Sequence, residues 1–123
     1  MAEKMTGQCL CGASTFDFIK QPKFAIQCHC RDCQQISGGG HLPQVAVPSE
    51  KFVAHGKVKT YETVSDAGNT VGISFCGACG CSLFKATSKM PDVKFLCAGA
   101  LDEDLVAEPF QRVLEDCQRV WDN

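Results

Sequence analysis

The alternation of apolar and polar residues along most of the chain predicts short β-strands. In GASTFDFI, Phe16 and Phe18 stand two residues apart, the spacing that puts two side chains on the same face of a strand. KVKTYETV and TVGISF read as two further strands, joined through SDAGN, whose composition is typical of a turn. Comparable patterns recur in FAIQCHC, in KFLCAGAL and in QVAVPSEKFVAHG, where Pro48 interrupts the alternation and Gly56 turns the chain. The pattern therefore predicts a mainly β protein.

Two stretches do not fit the strand pattern. QISGGGHLP contains three consecutive glycines and is predicted to be a loop. In PFQRVLEDCQRVWDN, apolar residues recur at helical spacing after Pro109, so the local pattern over 110–121 favours a helix.

Length and charge narrow the classes of function. The chain has 123 residues and is predicted to form one domain over 1–123. A formal net charge of -2 at pH 7 and a pI near 5.9 give no electrostatic basis for binding nucleic acid or an anionic membrane. The N-terminal residues lack the apolar stretch of a signal peptide, and no segment approaches a membrane span. The expected location is the cytoplasm.

The ten cysteines are the strongest chemical signal in the chain. Most of them fall into three tight clusters, and neighbouring thiols reach one metal ion together more readily than they pair with each other. In a reducing cytoplasm this pattern favours metal binding over a disulfide framework. Cys97 and Cys117 lie outside the clusters and are predicted to be buried apolar residues.

One predicted site combines Cys9 and Cys11 of QCLCG with Cys76 and Cys79 of FCGACGC. Residues two apart on a strand point to the same face, so the first pair can bind one ion together. CGACG looks like a zinc knuckle, in which Gly80 lets the chain turn and backbone amides donate to the sulfurs. The two pairs supply four thiolates, the ligand set of a closed, structural zinc site.

CHCRDC then retains three thiols, those of Cys28, Cys30 and Cys33. Zinc with three protein ligands keeps a fourth position for water or substrate. A substrate thiol in that position would lose its proton, because zinc favours the thiolate. An alternative stays open at this point: Cys81, two residues beyond Cys79, closes the second site, and both sites are structural.

The cysteine motifs resemble a known family, the glutathione-dependent formaldehyde-activating enzymes, which also includes centromere protein V-like proteins. GQCLCGASTF, CHCRDCQQISGG, FCGACGCSLF, AGALDED and a closing tryptophan follow the family's order and approximate spacing from Met5 to Trp121. The resemblance implies a β-tent fold of small antiparallel sheets. It implies structural zinc on Cys9, Cys11, Cys76 and Cys79 and catalytic zinc on Cys28, Cys30 and Cys33. Family members of the named activity interconvert S-hydroxymethylglutathione with glutathione and formaldehyde, as carbon–sulfur lyases.

The chain departs from the family pattern at two positions. Cys81 stands where serine or threonine is more usual, and Arg112 stands where the family tends to have a histidine three residues after a proline. The family's segment after that proline is extended, so the resemblance favours a strand rather than a helix near the C-terminus.

Several other residues are candidates for the chemistry of the open site. Arg31, between the ligands, is predicted to offset the negative charge of the thiolates. Gln34, Gln35 and Ser37 follow the last ligand and are predicted to orient a peptide-like thiol substrate.

Residues further from the ligands offer weaker candidates. Lys51, Lys59 and Arg112 are candidate partners for the two carboxylates of glutathione. His29 alternates with two ligands and is expected to face away from the metal, and His41 is a candidate proton shuttle.

Two functions follow from these patterns. The first is a zinc-dependent carbon–sulfur lyase that acts on a glutathione-type thiol adduct. The second is a non-catalytic zinc module that uses the fold as a binding platform. They differ in whether the second metal keeps an open position.

Overall fold

The computed structural model describes residues 3–105 and 110–122, and these form a mainly β fold, as predicted. One α-helix, α1, spans Arg31–Ser37. The strands are β1 (Lys4–Gln8), β2 (Ser14–Ile19), β3 (Phe24–Cys28), β4 (Leu42–Pro48), β5 (Val53–Gly56), β6 (Val58–Val64), β7 (Thr70–Cys76), β8 (Ser82–Thr87), β9 (Val93–Cys97) and β10 (Gln111–Val113).

The strands form two sheets. The small sheet has the order β1-β2-β5, and the large sheet has the order β10-β3-β4-β9-β8-β7-β6. All pairings are antiparallel except that between β10 and β3, which is parallel. The strands predicted from alternation are present, including β6 and β7 joined through the SDAGN turn. β1 and β8 are strands that the sequence analysis did not predict.

Aromatic packing joins the small sheet to the large one. Phe16 and Phe18, on one face of β2, are both fully buried. The ring of Phe16 lies 5.8 Å from that of Phe84 on β8 and 5.8 Å from that of Phe52. Burying one such side chain stabilises a fold by about 2–3 kcal/mol. Gly7 on β1 lies against the ring of Phe16, and a Cβ there would overlap it, which explains a glycine inside a strand.

The helix α1 begins before the glycine-rich stretch QISGGGHLP and includes the first three residues of that stretch. Cys30 is the N-cap, and its sulfur accepts a hydrogen bond from the N–H of Cys33. Gly38 ends the helix with a φ of 73°, a conformation that glycine adopts without strain. The loop predicted for QISGGGHLP is therefore wrong over its first three residues, because the helix that starts after Cys30 continues to Ser37 and ends at the Gly38 cap.

The C-terminal segment is not the helix that its periodicity favours. β10 is extended, and the following residues Glu115–Cys117 form a single 3-10 turn. The extended backbone gains ladder hydrogen bonds along β3, which a helix would not make. The apolar residues at helical spacing stay largely outside the core, and Trp121 and Cys117 are exposed, so the prediction that Cys117 is buried is wrong. Pro109, the predicted helix start, lies outside the described residues.

Helix length bears on membrane insertion. Within the described ranges, no helix has the length and hydropathy that crossing a bilayer requires.

Candidate metal centres

The first group of sulfurs, called here the four-cysteine cluster, consists of Cys9, Cys11, Cys76 and Cys79. Their sulfur atoms all lie within 4.8 Å of one another. The Sγ of Cys11 is 3.7 Å from that of Cys9 and 3.8 Å from that of Cys76. Sulfurs held tetrahedrally at about 2.3 Å from zinc are about 3.8 Å apart, so the spacing fits a tetrahedral thiolate site.

Two turns with glycine at positive φ build this cluster. The CxC pair follows β1 in a turn that ends at Gly12, with a φ of 79°, and the CxxC pair turns at Gly80, also with a φ of 79°. Backbone N–H groups donate to the sulfurs, that of Ser14 to Cys9 and that of Ala78 to Cys76, each at 3.3 Å. The proposed role of Gly80 and of the amides is confirmed. The strand geometry assumed for the CxC pair is wrong, because a turn brings these two sulfurs together.

The four-cysteine cluster connects the two sheets. One pair of sulfurs comes from the turn between β1 and β2 of the small sheet, and the other pair comes from the last residue of β7 and the turn that follows it in the large sheet. A metal ion there would cross-link the two sheets at one end of their shared core.

The second group, called here the three-cysteine cluster, consists of Cys28, Cys30 and Cys33. Cys28 is the last residue of β3, Cys30 is the N-cap of α1, and Cys33 lies in the first turn of that helix. Their sulfurs also lie within 4.8 Å of one another. A strand end and a helix start thus meet so that three thiols converge on one point.

Hydrogen bonds among these thiols favour a thiolate at the middle position. Donation from Cys28 and then from Cys33 lowers the pKa of the Cys30 thiol to about 2. The pKa of Cys33 is raised, first because its thiol donates to Cys28 and Cys30 and then because it is buried. Proton sharing of this kind marks a set of thiols that a soft cation would stabilise as thiolates.

Two side chains from other strands of the large sheet approach this cluster. The Nζ of Lys85, on β8, lies 3.4 Å from the Sγ of Cys33. The Nε2 of Gln44, on β4, lies 3.7 Å from the same sulfur. Gln44 is almost fully buried, whereas Lys85 is half-buried. A cation and an amide donor therefore both contact the sulfur of Cys33.

A cavity of about 270 Å³ opens beside the three-cysteine cluster. Cys28, Gln44 and Lys85 are among the residues that line it, together with Lys89 and Asn69. Binding pockets for small molecules typically start at about 300 Å³, so the cavity suits one arm of a ligand rather than a whole tripeptide.

Cys81 lies in neither cluster. Its thiol donates to the carbonyl of Ser82 at 3.6 Å, and it shares a wall of a separate groove with Cys97. Cys97 is buried in the core, as predicted, and burial raises its pKa to about 12, so it stays a neutral thiol. Within the described residues, the alternative in which Cys81 closes the second site lacks geometric support.

The other predicted site residues lie apart from this cavity. The side chain of Arg31 is exposed at the start of α1. Gln34 is buried and donates to the carbonyls of His29 and Cys117, so it holds the C-terminal segment. Ser37 accepts from Gly39 at the end of the helix, and Gln35 is exposed. Their predicted functional roles stay predictions.

The lysines at the cavity were missed by reading the sequence. Lys85 and Lys89 line the cavity, whereas the predicted carboxylate partners Lys51, Lys59 and Arg112 do not line it. Lys85 lies in SLFKATSKM, 52 residues from the nearest sulfur it faces, so no local spacing links the two.

The fold and its two sulfur clusters define a class of mainly β proteins that can hold thiophilic metal ions, in a manner compatible with zinc. Within that class, the sequence matches one protein family. Residues 4–118 match the glutathione-dependent formaldehyde-activating enzymes, and the chain therefore belongs to that family. This membership implies formaldehyde activation with a glutathione-like thiol.

Comparison with solved structures supports the fold. The chain is similar to a crystal structure of a Rhodobacter sphaeroides protein from a structural genomics programme, with a TM-score of 0.67 and 15% sequence identity. The match covers 89% of this chain and 100% of that chain. No curated protein matches the sequence significantly.

Proposed function

We propose that the protein is a zinc-dependent carbon–sulfur lyase of one domain, which interconverts an S-hydroxymethyl thiol adduct with the free thiol and formaldehyde. S-hydroxymethylglutathione is the adduct that fits the family. The observation that carries this proposal is the convergence of the three-cysteine cluster, the Lys85 ammonium and the cavity beside Cys28.

The two clusters fit two zinc ions with different roles. The four-cysteine cluster supplies a complete tetrahedral set and would be structural, whereas the three-cysteine cluster leaves one position open toward substrate. Zinc at the second cluster would supply a Lewis-acid position that favours the thiolate form of the substrate.

The charges of the chain suit this assignment. Three thiolates around Zn²⁺ leave one net negative charge, and the ammonium of Lys85 neutralises it at 3.4 Å from Cys33. Gln44 donates toward the same sulfur and so limits its mobility. Lys85 rather than the exposed Arg31 therefore provides the charge compensation in this proposal.

The reaction forms or breaks one C–S bond and transfers one proton. In the direction of synthesis, a C–S bond forms between the thiol sulfur and the carbonyl carbon as the C=O π bond breaks toward oxygen, the thiol loses its proton and the oxygen gains one. The reverse direction cleaves the same bond and releases formaldehyde. Lys85, between Cys33 and the cavity, can face the oxygen that gains negative charge, and its ammonium can donate the proton there.

The walls of the cavity suggest how the thiol substrate is held. Its volume accommodates the cysteinyl arm of a glutathione-like molecule at Cys28, and the exposed Lys89 lies where a carboxylate of that molecule would project. Cation–carboxylate contacts at such a partly exposed position contribute modestly to affinity.

The proposal is tested by magnetisation-exchange NMR of glutathione and formaldehyde with their adduct, with and without the protein. We expect the protein to accelerate exchange and the Cys30→Ser variant to lose that acceleration while its circular dichroism spectrum is unchanged. Cys81→Ser, which alters a thiol outside both clusters, is the matched control and should retain the rate. Equal exchange with Cys30→Ser and with the unmodified protein would favour the non-catalytic zinc module instead.

A further inference from the structure

A third cluster of potential metal ligands lies where the C-terminal segment meets the residues around α1. It comprises His29, His41 and Asp122, and its ligand atoms lie within 4.8 Å of one another. The proposed lyase chemistry does not use it. It is called here the His–His–Asp cluster.

Three separate segments build this cluster. His29 follows β3, His41 precedes β4, and Asp122 lies in the C-terminal segment. The Oδ2 of Asp122 is 2.8 Å from the Nδ1 of His41 and 3.3 Å from the Nδ1 of His29. The two imidazole rings are 4.9 Å apart. The same atom of each imidazole thus points at the same carboxylate oxygen.

Hydrogen bonding explains the position of His41 but not that of His29. His41 and Asp122 form an ordinary hydrogen bond. His29 is fully buried, and among the described residues neither of its ring nitrogens has a hydrogen-bond partner. Leaving a buried polar atom unpaired costs about 1–3 kcal/mol, so a buried imidazole in this state indicates a missing partner. The Nδ1 of His29 lies 3.3 Å from the Oδ2 of Asp122 without forming a hydrogen bond, so a partner for this nitrogen would lie inside the cluster.

The backbone leaves room for the carboxylate. A Cβ on Gly40 would overlap the side chain of Asp122, so the glycine next to His41 lets Asp122 approach both imidazoles. The backbone N–H of His29 donates to the carbonyl of Val113, and Gln118 donates to the carbonyl of Asp122. The first contact joins the C-terminal segment to His29, and the second lies within that segment.

We propose that the His–His–Asp cluster binds one divalent first-row transition-metal ion, separate from the two cysteine clusters. Two imidazoles and one carboxylate form the set that zinc, iron(II) and cobalt(II) accept, whereas magnesium and calcium prefer sets made only of oxygen. The ion would supply the missing partner of His29 and would fasten the C-terminal segment to the start of β4.

Cobalt(II) is the probe for this site. Protein already loaded with zinc would be dialysed against Co²⁺ under anaerobic conditions, and bound metal would be counted by mass spectrometry. We expect one additional cobalt per chain, with weak visible bands and without the strong thiolate-to-cobalt absorption that replacement of zinc at a cysteine cluster would give. The single tryptophan is adjacent to Asp122, so its indole NMR signal should broaden at the same equivalence.

Two variants separate a metal site from a hydrogen-bonded contact. Asp122→Asn keeps an oxygen that can accept from His41 but removes the charge that a metal requires, and His41→Ala removes one ligand. Both should lower cobalt affinity more than about tenfold, while zinc content at the cysteine clusters is unchanged. His55→Ala is the matched control, because His55 pairs with Asp17 at 3.2 Å without a second imidazole, and it should retain the additional cobalt.

The outcomes are distinct. Loss of the additional cobalt in both variants, but not in His55→Ala, supports the site. Absence of the additional cobalt in the unmodified protein, or equal binding by Asp122→Asn, overturns it and leaves a purely hydrogen-bonded contact. Neither result depends on the lyase activity.

Discussion

The two cysteine clusters use the same ligand in different surroundings. The four-cysteine cluster lies between two turns of different sheets, and its sulfurs receive hydrogen bonds from neighbouring backbone amides. The three-cysteine cluster lies at the junction of β3 and α1, where a lysine and a glutamine from distant strands approach it beside a cavity. A site built from local turns suits stability, whereas a site approached by distant side chains and open to a cavity suits chemistry.

The largest difference between the clusters should appear when one ligand of each is removed. Cys76→Ser should lose one metal ion and lower the thermal unfolding midpoint severely, because structural zinc contributes on the order of 10 kcal/mol in zinc-dependent folds. Cys30→Ser should also lose one metal ion but keep a cooperative unfolding transition close to that of the unmodified protein. Metal content and calorimetry of both variants check this contrast. Similar losses of stability in the two would mean that both clusters are structural.

Removing the cation beside the three-cysteine cluster should affect activity more than folding. Lys85→Met leaves the negative charge of the thiolates without compensation, and we expect the exchange rate to fall by about 10–100-fold. Metal content should be nearly unchanged. Lys59→Met, on β6 of the same sheet, is the matched control and should keep the rate, since Lys59 lies outside the cavity. Equal rates for the two variants would remove Lys85 from the mechanism.

A smaller effect is expected from the glycine turn of the four-cysteine cluster. Gly80 has a φ of 79°, and the space that a Cβ would occupy there is open, so Gly80→Ala adds backbone strain of about 1 kcal/mol without a clash. Gly38, with a φ of 73° and equally open surroundings, is the counterpart after the three-cysteine cluster. Chemical denaturation should show similar losses for the two variants. Competition with a chelator should show weaker metal binding at the four-cysteine cluster for Gly80→Ala alone.

The smallest effect should come from the cysteine that belongs to neither cluster. Cys81→Ser should leave metal content and the exchange rate unchanged, because its thiol contacts the carbonyl of Ser82 rather than a cluster sulfur. The unfolding free energy should fall by no more than about 1 kcal/mol, because Cys81 is only partly buried against the core and serine has a similar size. Loss of one metal ion in this variant would show that Cys81 is a ligand and that the second site is closed.

Local motifs in the sequence predicted which cysteines form the two clusters. CxC, CxxC and CHCRDC each bring their thiols together within a few residues, and the pairing of the first two motifs followed from the four ligands that a closed zinc site needs. Alternation predicted most of the strands for the same reason, since the side-chain period of a strand is a local property. At the C-terminal segment the local periodicity favoured a helix and was wrong, whereas the resemblance favoured the extended conformation that is found, because β10 gains its hydrogen bonds from β3, which lies far earlier in the chain.

The sequence by itself determined that this is a mainly β chain with thiols grouped for metal binding, and its motifs were sufficient to indicate the family. Only the tertiary structure decided which side chains surround the three-cysteine cluster. Lys85 and Gln44 reach Cys33 because β8, β9, β4 and β3 are neighbours in the large sheet. Likewise, His29, His41 and Asp122 meet because the chain end lies against the start of β4. Contacts of this kind depend on strand order, which no local spacing encodes.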